Sequence, residues 1–284
     1  MLCSVLLEAH NKFSVHNGEN TVKSKFEEFY YEDDKNYPVD VYWKLYDKNH
    51  AEAIRKYEGH IFCPLCRLAP LTAAKGNERR YFKVVESDMD KHDIDCSYRR
   101  KKAGKRETEK FYKDLDTTDI RNRLVSCMNR MLKKLNSSSS VGKVRTIEKG
   151  KKALGFFDIE TEGKEIKYLP HKNIYAKDLE TDIDIQKIYY GKCSLYLMQY
   201  VPEGEEVKAY YLKVLNQETK KQICDIAISP FVYNYMKEQL DMLPDNKMTA
   251  KDFYICFSGV LEKSRYSYKC KLRDSRLLVL EKID

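Results

Sequence analysis

The sequence predicts an α+β chain: a small metal-stapled N-terminal module carrying a helix, followed by a C-terminal five-stranded β-barrel. Three observations predict it. Cysteine and histidine occur as two close pairs between residues 60 and 96. An apolar stripe at helical spacing runs from residue 118 to 135 and stops at four consecutive serines. From residue 187 onward, three segments of alternating polarity, a helical segment and two more alternating segments follow. At 284 residues, 42% hydrophobic and 34% charged, the chain is long enough for two domains with separate cores and is globular rather than disordered.

The two pairs are Cys63-Pro-Leu-Cys66 and His92-Asp-Ile-Asp-Cys96, with 25 residues between them. A CxxC places two thiolates on one tight knuckle, and HxxxC adds two more ligands within a short loop or helical turn. Together, Cys63, Cys66, His92 and Cys96 match a tetrahedral Cys3His site for Zn2+. Lys91 and Arg67 add positive charge that would help keep the thiols ionised, and His60 is a substitute ligand should His92 not serve. Between the pairs, an apolar arm over 68 to 74, a turn at 75 to 77 and a second arm over 81 to 85 read as a hairpin. Knuckle, hairpin, second pair is the order of a zinc-ribbon or treble-clef-like module. With four protein ligands the site is expected to be closed and structural, since a catalytic zinc keeps one position for water. Asp93 and Asp95 do not form the pattern of the zinc deaminases, and Asp88 and Asp90 read as loop residues.

Before the knuckle, residues 1 to 59 read as a small mixed region, with strands at 3 to 7 and 39 to 45 and a helical turn at 49 to 57. Glu27, Glu28, Glu32, Asp33 and Asp34 read as surface, and Trp43, the single tryptophan, as core. After Cys96 comes a basic tract, Arg99, Arg100, Lys101, Lys102, Lys105 and Arg106. A helix from Thr118, capped by Thr117 or Thr118, follows it. Its stripe is Ile120, Leu124, Cys127, Met128, Met131 and Leu135, with Arg121, Arg123, Arg130 and Lys133 off it. The helix is expected to pack on the metal module and leave the basic residues outside. Ser137 to Ser140 mark the boundary. This gives 1–136 as a zinc-binding module with a basic helix, 137–186 as linker and hairpin, and 187–284 as the barrel.

Charge is concentrated. Residues 99 to 152 hold 18 Lys and Arg against 6 Asp and Glu, a local surplus of +12 in a chain of net +8. The remainder is acidic, so the surplus fits a patch facing a polyanion or a solvated helix face with linker. Nine cysteines, an odd number with one CxxC, argue against a disulfide framework and for a reducing compartment. Residues 1 to 7 lack a basic flank and are interrupted by Glu8, so no signal peptide is expected. No run approaches the ~18 apolar residues of a membrane span. A cytoplasmic protein with no membrane partner follows as the expectation.

Phe156 to Thr161 contains Asp158 and Glu160 two apart, which resembles the first acidic motif of the DEDD exonucleases. Two-metal chemistry needs further carboxylates, and none is placed to complete it; a hairpin strand ending in a Thr-Glu-Gly turn is the expectation. No complete catalytic constellation is visible, and on that ground no enzyme is expected. In the C-terminal part, residues 187 to 200 alternate, with Cys193, Leu195 and Leu197 on one face and Tyr190, Lys192, Ser194 and Tyr196 on the other. Strands at 209 to 216 and 222 to 228, a helix opened by Pro230, and strands at 253 to 261 and 266 to 272 with a continuation over 276 to 280 complete the pattern. Cys193, Cys224, Cys256 and Cys270, on separate strands without CxxC spacing, read as packing residues.

Three strands, a helix and two strands is the element order of an OB-fold, and the C-terminal half resembles OB-fold single-stranded nucleic-acid-binding domains. A generic five-stranded barrel or α+β sheet is the competing arrangement. Cys63-Pro-Leu-Cys66 with Lys75-Gly-Asn-Glu-Arg-Arg-Tyr-Phe82 resembles the N-terminal zinc module of CoiA-like competence proteins; the nuclease part of that family has no counterpart here. The OB resemblance implies a groove where aromatics stack on bases and cations follow the backbone. Its outward candidates are Tyr190, Tyr196, Tyr211, Lys213, Lys269, Lys271 and Arg273. The expected function is binding of single-stranded nucleic acid by the barrel and the basic segment, with Zn2+ as cofactor. The alternative is an adaptor subunit whose barrel binds a protein partner, and a metal-dependent nuclease using Asp158 and Glu160 ranks last.

Overall fold

In a computed structural model, the described residues are 26–33, 35–76, 80–84, 91–93, 96–114, 117–132, 155, 157–174, 179 and 183–283. The proposed strand at 3 to 7, the serine boundary and the basic stretch from 133 to 152 lie outside them.

Strand β1 (Glu28–Tyr31) pairs antiparallel with β2 (Lys35–Pro38) and with β3 (Ile61–Phe62), which leads into the knuckle. Between β2 and β3 lie two helices, α1 (Val39–Lys48) and α2 (His50–Tyr57). The strand expected at 39 to 45 is therefore a helix. Val39, Tyr42, Trp43 and Tyr46 also satisfy helical spacing, and extended Pro38 with Asp40 in the first turn supplies the start. The Asn49 side chain accepts from Glu52 N and begins α2. After the knuckle, β4 (Thr72–Lys75) and β5 (Arg80–Lys83) form the expected hairpin.

Strand β6 (Lys101–Lys102) precedes α3 (Lys105–Asp114) and α4 (Thr117–Leu132). Then β7 (Asp158–Glu160) pairs antiparallel with β8 (Ile166–Tyr168), and β8 pairs parallel with β6, so the basic tract forms an edge of this small sheet. The turn has Lys164 at φ 57° and is closed by Thr161 N donating to Glu165 O.

The largest sheet has eight strands. Its members are β9 (His171–Asn173), β10 (Lys187–Tyr200), β11 (Ala209–Leu215), β12 (Gln222–Ile228), β13 (Lys251–Gly259), β14 (Glu262–Lys263), β15 (Tyr268–Leu272) and β16 (Leu278–Lys282). Helix α5 (Pro230–Leu240) connects β12 to β13, with Ser229 accepting from Val232 N and Pro230 in the first turn. The order is β14-β15-β12-β11-β10-β13-β16, with β9 added parallel to β10. The sheet is not closed into a barrel, which corrects the expected five-stranded closure. The reason is local: Asp274 accepts from Arg276 N and caps a 3-10 turn over Ser275–Leu277, so the chain leaves β12 and restarts beside β13.

β10 is the spine. One edge pairs with β13 over Lys187 to Leu195; the other meets β9 and then β11. Its side chains enter two cores. Tyr189, Cys193, Leu195 and Leu197 join Leu212, Ile226, Phe253, Ile255 and the buried side of α5. Ile188 and Tyr190, with Cys256 and Val279, join the N-terminal core of Phe29, Tyr42, Phe82, Leu124 and Tyr168. Helix α4 contacts β13, β16 and β10 with Ile120, Leu124, Cys127 and Met128. It thus packs on the sheet more than on the metal module. Two of its arginines turn inward: Arg121 donates to Leu278 O, and Arg123 donates to Asp158 O at 2.7 Å and lies over the Phe111 ring.

Buried polar groups seal the joint. Glu28, read from sequence as surface, is 6% exposed and accepts from Asn173 and from Tyr190 Oη. Burial, with Glu27 beside it, pushes its carboxyl from 4.5 up to about 8, while Lys172 pairs with Glu27 at 3.2 Å. Burial also pushes His171 from 6.5 down to about 3, with the cations of Lys102, Arg130 and Lys187 adding to the shift. The folded state therefore loses stability as pH rises from 4.5 through about 8, from Glu28, and as pH falls from 6.5 toward about 3, from His171. The unfolding free energy is expected to be flat between 4.5 and 6.5 and to fall on either side, by about 1.4 kcal/mol per unit on each limb, with the thermal midpoint following it. In Glu28→Gln the alkaline fall should shrink. A Gln variant with the full fall between pH 6.5 and 8 would contradict this assignment.

Candidate metal centre and basic face

Cys63, Cys66, His92 and Cys96 come together in space, their ligand atoms all within 4.8 Å of one another, and could hold a metal ion. The knuckle is built locally. Cys63 N donates to Ala69 O at 2.7 Å, Arg67 N donates to Cys63 O at 2.8 Å, and Arg67 takes φ 61° to turn the chain. Pro64 sits between the cysteines, and Cys96 is fixed by its N–H donating to Asp93 O at 2.9 Å. Cys63 Sγ lies 3.8 Å from Cys96 Sγ, and Cys66 Sγ lies 3.3 Å from His92 Nδ1.

Cys63, Cys96 and His92 are buried and Cys66 is partly so. Burial pushes the Cys63 thiol up to about 12; the thiol donors of Cys63 and Cys96 draw Cys66 down, and the same contacts push Cys96 up. Three thiols around one imidazole thus share few negative charges among themselves. A cation at the centre would let all three ionise, and the donor set fits one. The Arg67 guanidinium lies over the Tyr30 ring, 4.8 Å from its centroid. His60 stands apart, paired with Glu32 at 2.8 Å.

The nucleic-acid candidates divide. Arg99, Lys101, Lys102, Lys105 and Arg106 are exposed. Lys101 faces Glu165 at 3.6 Å and Lys105 faces Glu109 at 3.8 Å. Arg100 is committed inward, its Nε donating at 2.6 Å to Asp158 Oδ2, which also accepts from Gly155 N at 2.9 Å. Asp158 thereby anchors the basic tract, and neither it nor Glu160 joins a metal-binding group among the described residues. Tyr190 is a correction: its ring is buried beneath β1, and its hydroxyl bonds Glu28, so it offers no exposed face. Tyr196 is outward but only 8% exposed.

The remaining candidates share one open face. Register places Tyr196, Lys213, Asp225 and Lys269 in one row across β10, β11, β12 and β15. Met198, Tyr211, Ala227 and Lys271 form the next row. Lys269, Lys271 and Arg273 are exposed, and Lys213 bonds Asp225 at 2.9 Å while lying over the Tyr211 ring. Met198 and Tyr200 extend this face, a feature sequence reading passed over although they continue the outward alternation of β10.

The expectation of no enzymatic role rested on seeing no complete catalytic constellation in the sequence, and it is corrected: spacing along the chain does not show which ionisable groups the fold brings together. Folding gathers buried Glu28, Tyr98 and Tyr190 and half-buried His171 from distant segments into one cluster. His171 Nδ1 donates to Leu169 O, which leaves Nε2 to accept from Tyr98 Oη at 3.3 Å, and Phe157 stacks on the ring at 3.9 Å. With a carboxyl at about 8 and an imidazole at about 3, the cluster holds the kind of displaced pKa values that sequence spacing could not reveal.

Metal removal is expected to unfold the N-terminal half, because a closed site contributes folding energy directly. Chelation at pH 7, or Cys96→Ala, should release bound metal and lower the thermal midpoint together. A midpoint unchanged after complete metal loss would contradict a structural site. Among the described residues no helix is long and apolar enough to cross a membrane. No family model matches the chain, and comparison with curated proteins and with solved structures finds no match either.

Proposed function

We propose that this protein holds zinc in its N-terminal half and binds single-stranded nucleic acid across the open face of β10, β11, β12 and β15. The observation that carries the reading is the register that puts Tyr211, Lys213, Lys269 and Lys271 side by side on that face. Aromatic rings there can stack on bases while cations follow the phosphates. The exposed Lys101, Lys102, Lys105 and Arg106 add further positive surface.

OB-like strand connectivity, without the closed barrel, is part of the proposal. Its support is topological: β10 pairs with β11 and β13, β12 pairs parallel with β15, and β15, next to the β14 edge of the sheet, and β16, at the other edge, are successive strands along the chain. Taken as one fifth strand interrupted at residues 273 to 277, they run from β12 across to β13. Gly259 of β13 leaves room for Cys270 of β15, whose Sγ would lie 2.3 Å from an added Cβ. Zinc is proposed because three thiols and an imidazole suit it. A tetrahedron with Zn–S bonds of about 2.3 Å has an S···S edge of about 3.8 Å. The 3.8 Å between Cys63 and Cys96 fits that edge. Knuckle, hairpin and second ligand pair support a zinc-ribbon or treble-clef-like module, and the free thiols of the eight described cysteines support a reducing, cytoplasmic setting.

A protein partner is the second reading, favoured by Phe231 and Tyr235 on α5, each 70% exposed with ring centroids 5.1 Å apart.

Fluorescence anisotropy with labelled single- and double-stranded DNA and RNA at two salt concentrations tests the first reading. Single strands are expected to bind more tightly, with log affinity falling linearly in log salt. Lys269→Ala with Lys271→Ala should reduce that slope by about two, and Tyr211→Ala should weaken binding by about 1–3 kcal/mol. No binding at low salt, or binding indifferent to salt, would sink the proposal.

A further inference from the structure

Helix α5 buries Val232, Tyr233, Met236 and Leu240 in the sheet core and turns a second stripe to solvent. Phe231 and Tyr235 stand four residues apart on that stripe with their rings in edge contact, and exposed Glu238 follows three residues on. Exposed Met242 lies just past the Asp241 cap. We propose that this stripe pairs with the same stripe of a second copy of the chain, the two helices running antiparallel. The pairing rests on the reading that α5 meets a protein, and names that protein; it is independent of nucleic-acid binding.

The stripe is complementary to itself. Tyr235 Oη is a donor and the Glu238 carboxylate an acceptor, and among the described residues neither has a hydrogen-bond partner. A two-fold axis through the middle of the helix pair sets Tyr235 of each copy beside Glu238 of the other, so the same charge-assisted bond forms twice. The same axis sets Phe231 of each copy toward Met242 of the other, which closes both ends with apolar contact. A parallel pairing would bring Glu238 against Glu238, so charge selects the antiparallel one.

The area fits a reversible dimer. A buried aromatic side chain removes about 150–250 Å2 from water, so Phe231 and Tyr235 of two copies, each 70% exposed, offer on the order of 400–700 Å2. Met242 and the flanking polar side chains bring the total toward the roughly 1,000 Å2 at which specific interfaces begin. A groove of about 790 Å3 beside the stripe, walled by Arg121, Ser275 and Arg276, leaves room for a second helix to approach. Because the buried side of α5 packs with Leu212 and Ile226, the pairing lies on the opposite side of the sheet from Tyr211 and Lys271 and leaves their row uncovered.

The full-length protein, treated with nuclease, should be sedimented over about 1 to 100 µM, the range in which such a dimer dissociates. A monomer–dimer equilibrium is expected. Phe231→Ser with Tyr235→Ser should abolish it. Should that variant fold poorly, Tyr235→Phe keeps the ring, removes both bonds between the copies and should weaken the dimer about tenfold. Glu238→Gln should weaken it about threefold, since the acceptor stays and its charge goes. Tyr211→Ala should change nothing. Acetylation of Tyr235, read by mass spectrometry, should fall as the protein is concentrated. The pairing is overturned if the protein stays monomeric at every concentration, if the dimer disappears with nuclease, or if Glu238→Gln strengthens it. A monomer in which Tyr235 is acetylated freely overturns the self-pairing alone. A monomer in which Tyr235 resists acetylation overturns the wider reading as well, because the chain itself then covers the stripe.

Discussion

The structure depends on β10 being buried on both faces along its first half. Strands of a sheet with one solvated face alternate in burial. Here residues 187 to 191 are all buried, with Ile188 and Tyr190 facing the N-terminal core and Tyr189 the sheet core. The N-terminal half therefore covers part of the sheet's outer surface and leaves the rest open. Gly191 marks the tightest point: at φ 152° its Cα faces Ile174, whose side chain would lie 2.9 Å from any added Cβ. The same packing that removes Tyr190 from solvent stops short of the row through Met198, Tyr211, Ala227 and Lys271.

The metal centre connects to this joint through two short paths. Strand β3 ends at Phe62, beside Cys63, and pairs with β1, which carries Glu28 onto Tyr190. On the other side, Cys96 leads into Tyr98, whose ring meets Phe26 and Tyr168 and whose hydroxyl reaches His171. Holding four ligands together thus fixes both chains that clamp β9 and β10. Asp158 does the equivalent for the basic tract, drawing Arg100 inward so that its neighbours stay at the surface.

The elements legible in the sequence were those with a strong period or a covalent spacing. The CxxC and HxxxC pairs, the β4–β5 hairpin and the strands β10 to β12 followed from residues alone. Helix α1 did not, since its aromatic residues fit both periods and only Pro38 and Asp40 break the tie. Nor did the burial of Glu28. A carboxylate in Phe26-Glu-Glu-Phe29 looks like a solvated edge until a partner strand from residues 171 to 190 closes over it. The break at residues 273 to 277 is a similar case: the continuation over 276 to 280 was visible, but its transfer to the far edge of the sheet is a tertiary choice. Pairings across more than 100 residues leave no local signal.

The central claim is that the N-terminal half covers one part of the sheet and leaves the other for ligand. Lysine labelling read by mass spectrometry, with and without a single-stranded oligonucleotide, tests it most directly. Lys172 and Lys187 should resist labelling throughout because they are buried, while Lys269 and Lys271 should label freely and become protected by the oligonucleotide. Labelling of Lys187 in the free protein, or protection that spares Lys269 and Lys271, would contradict the account.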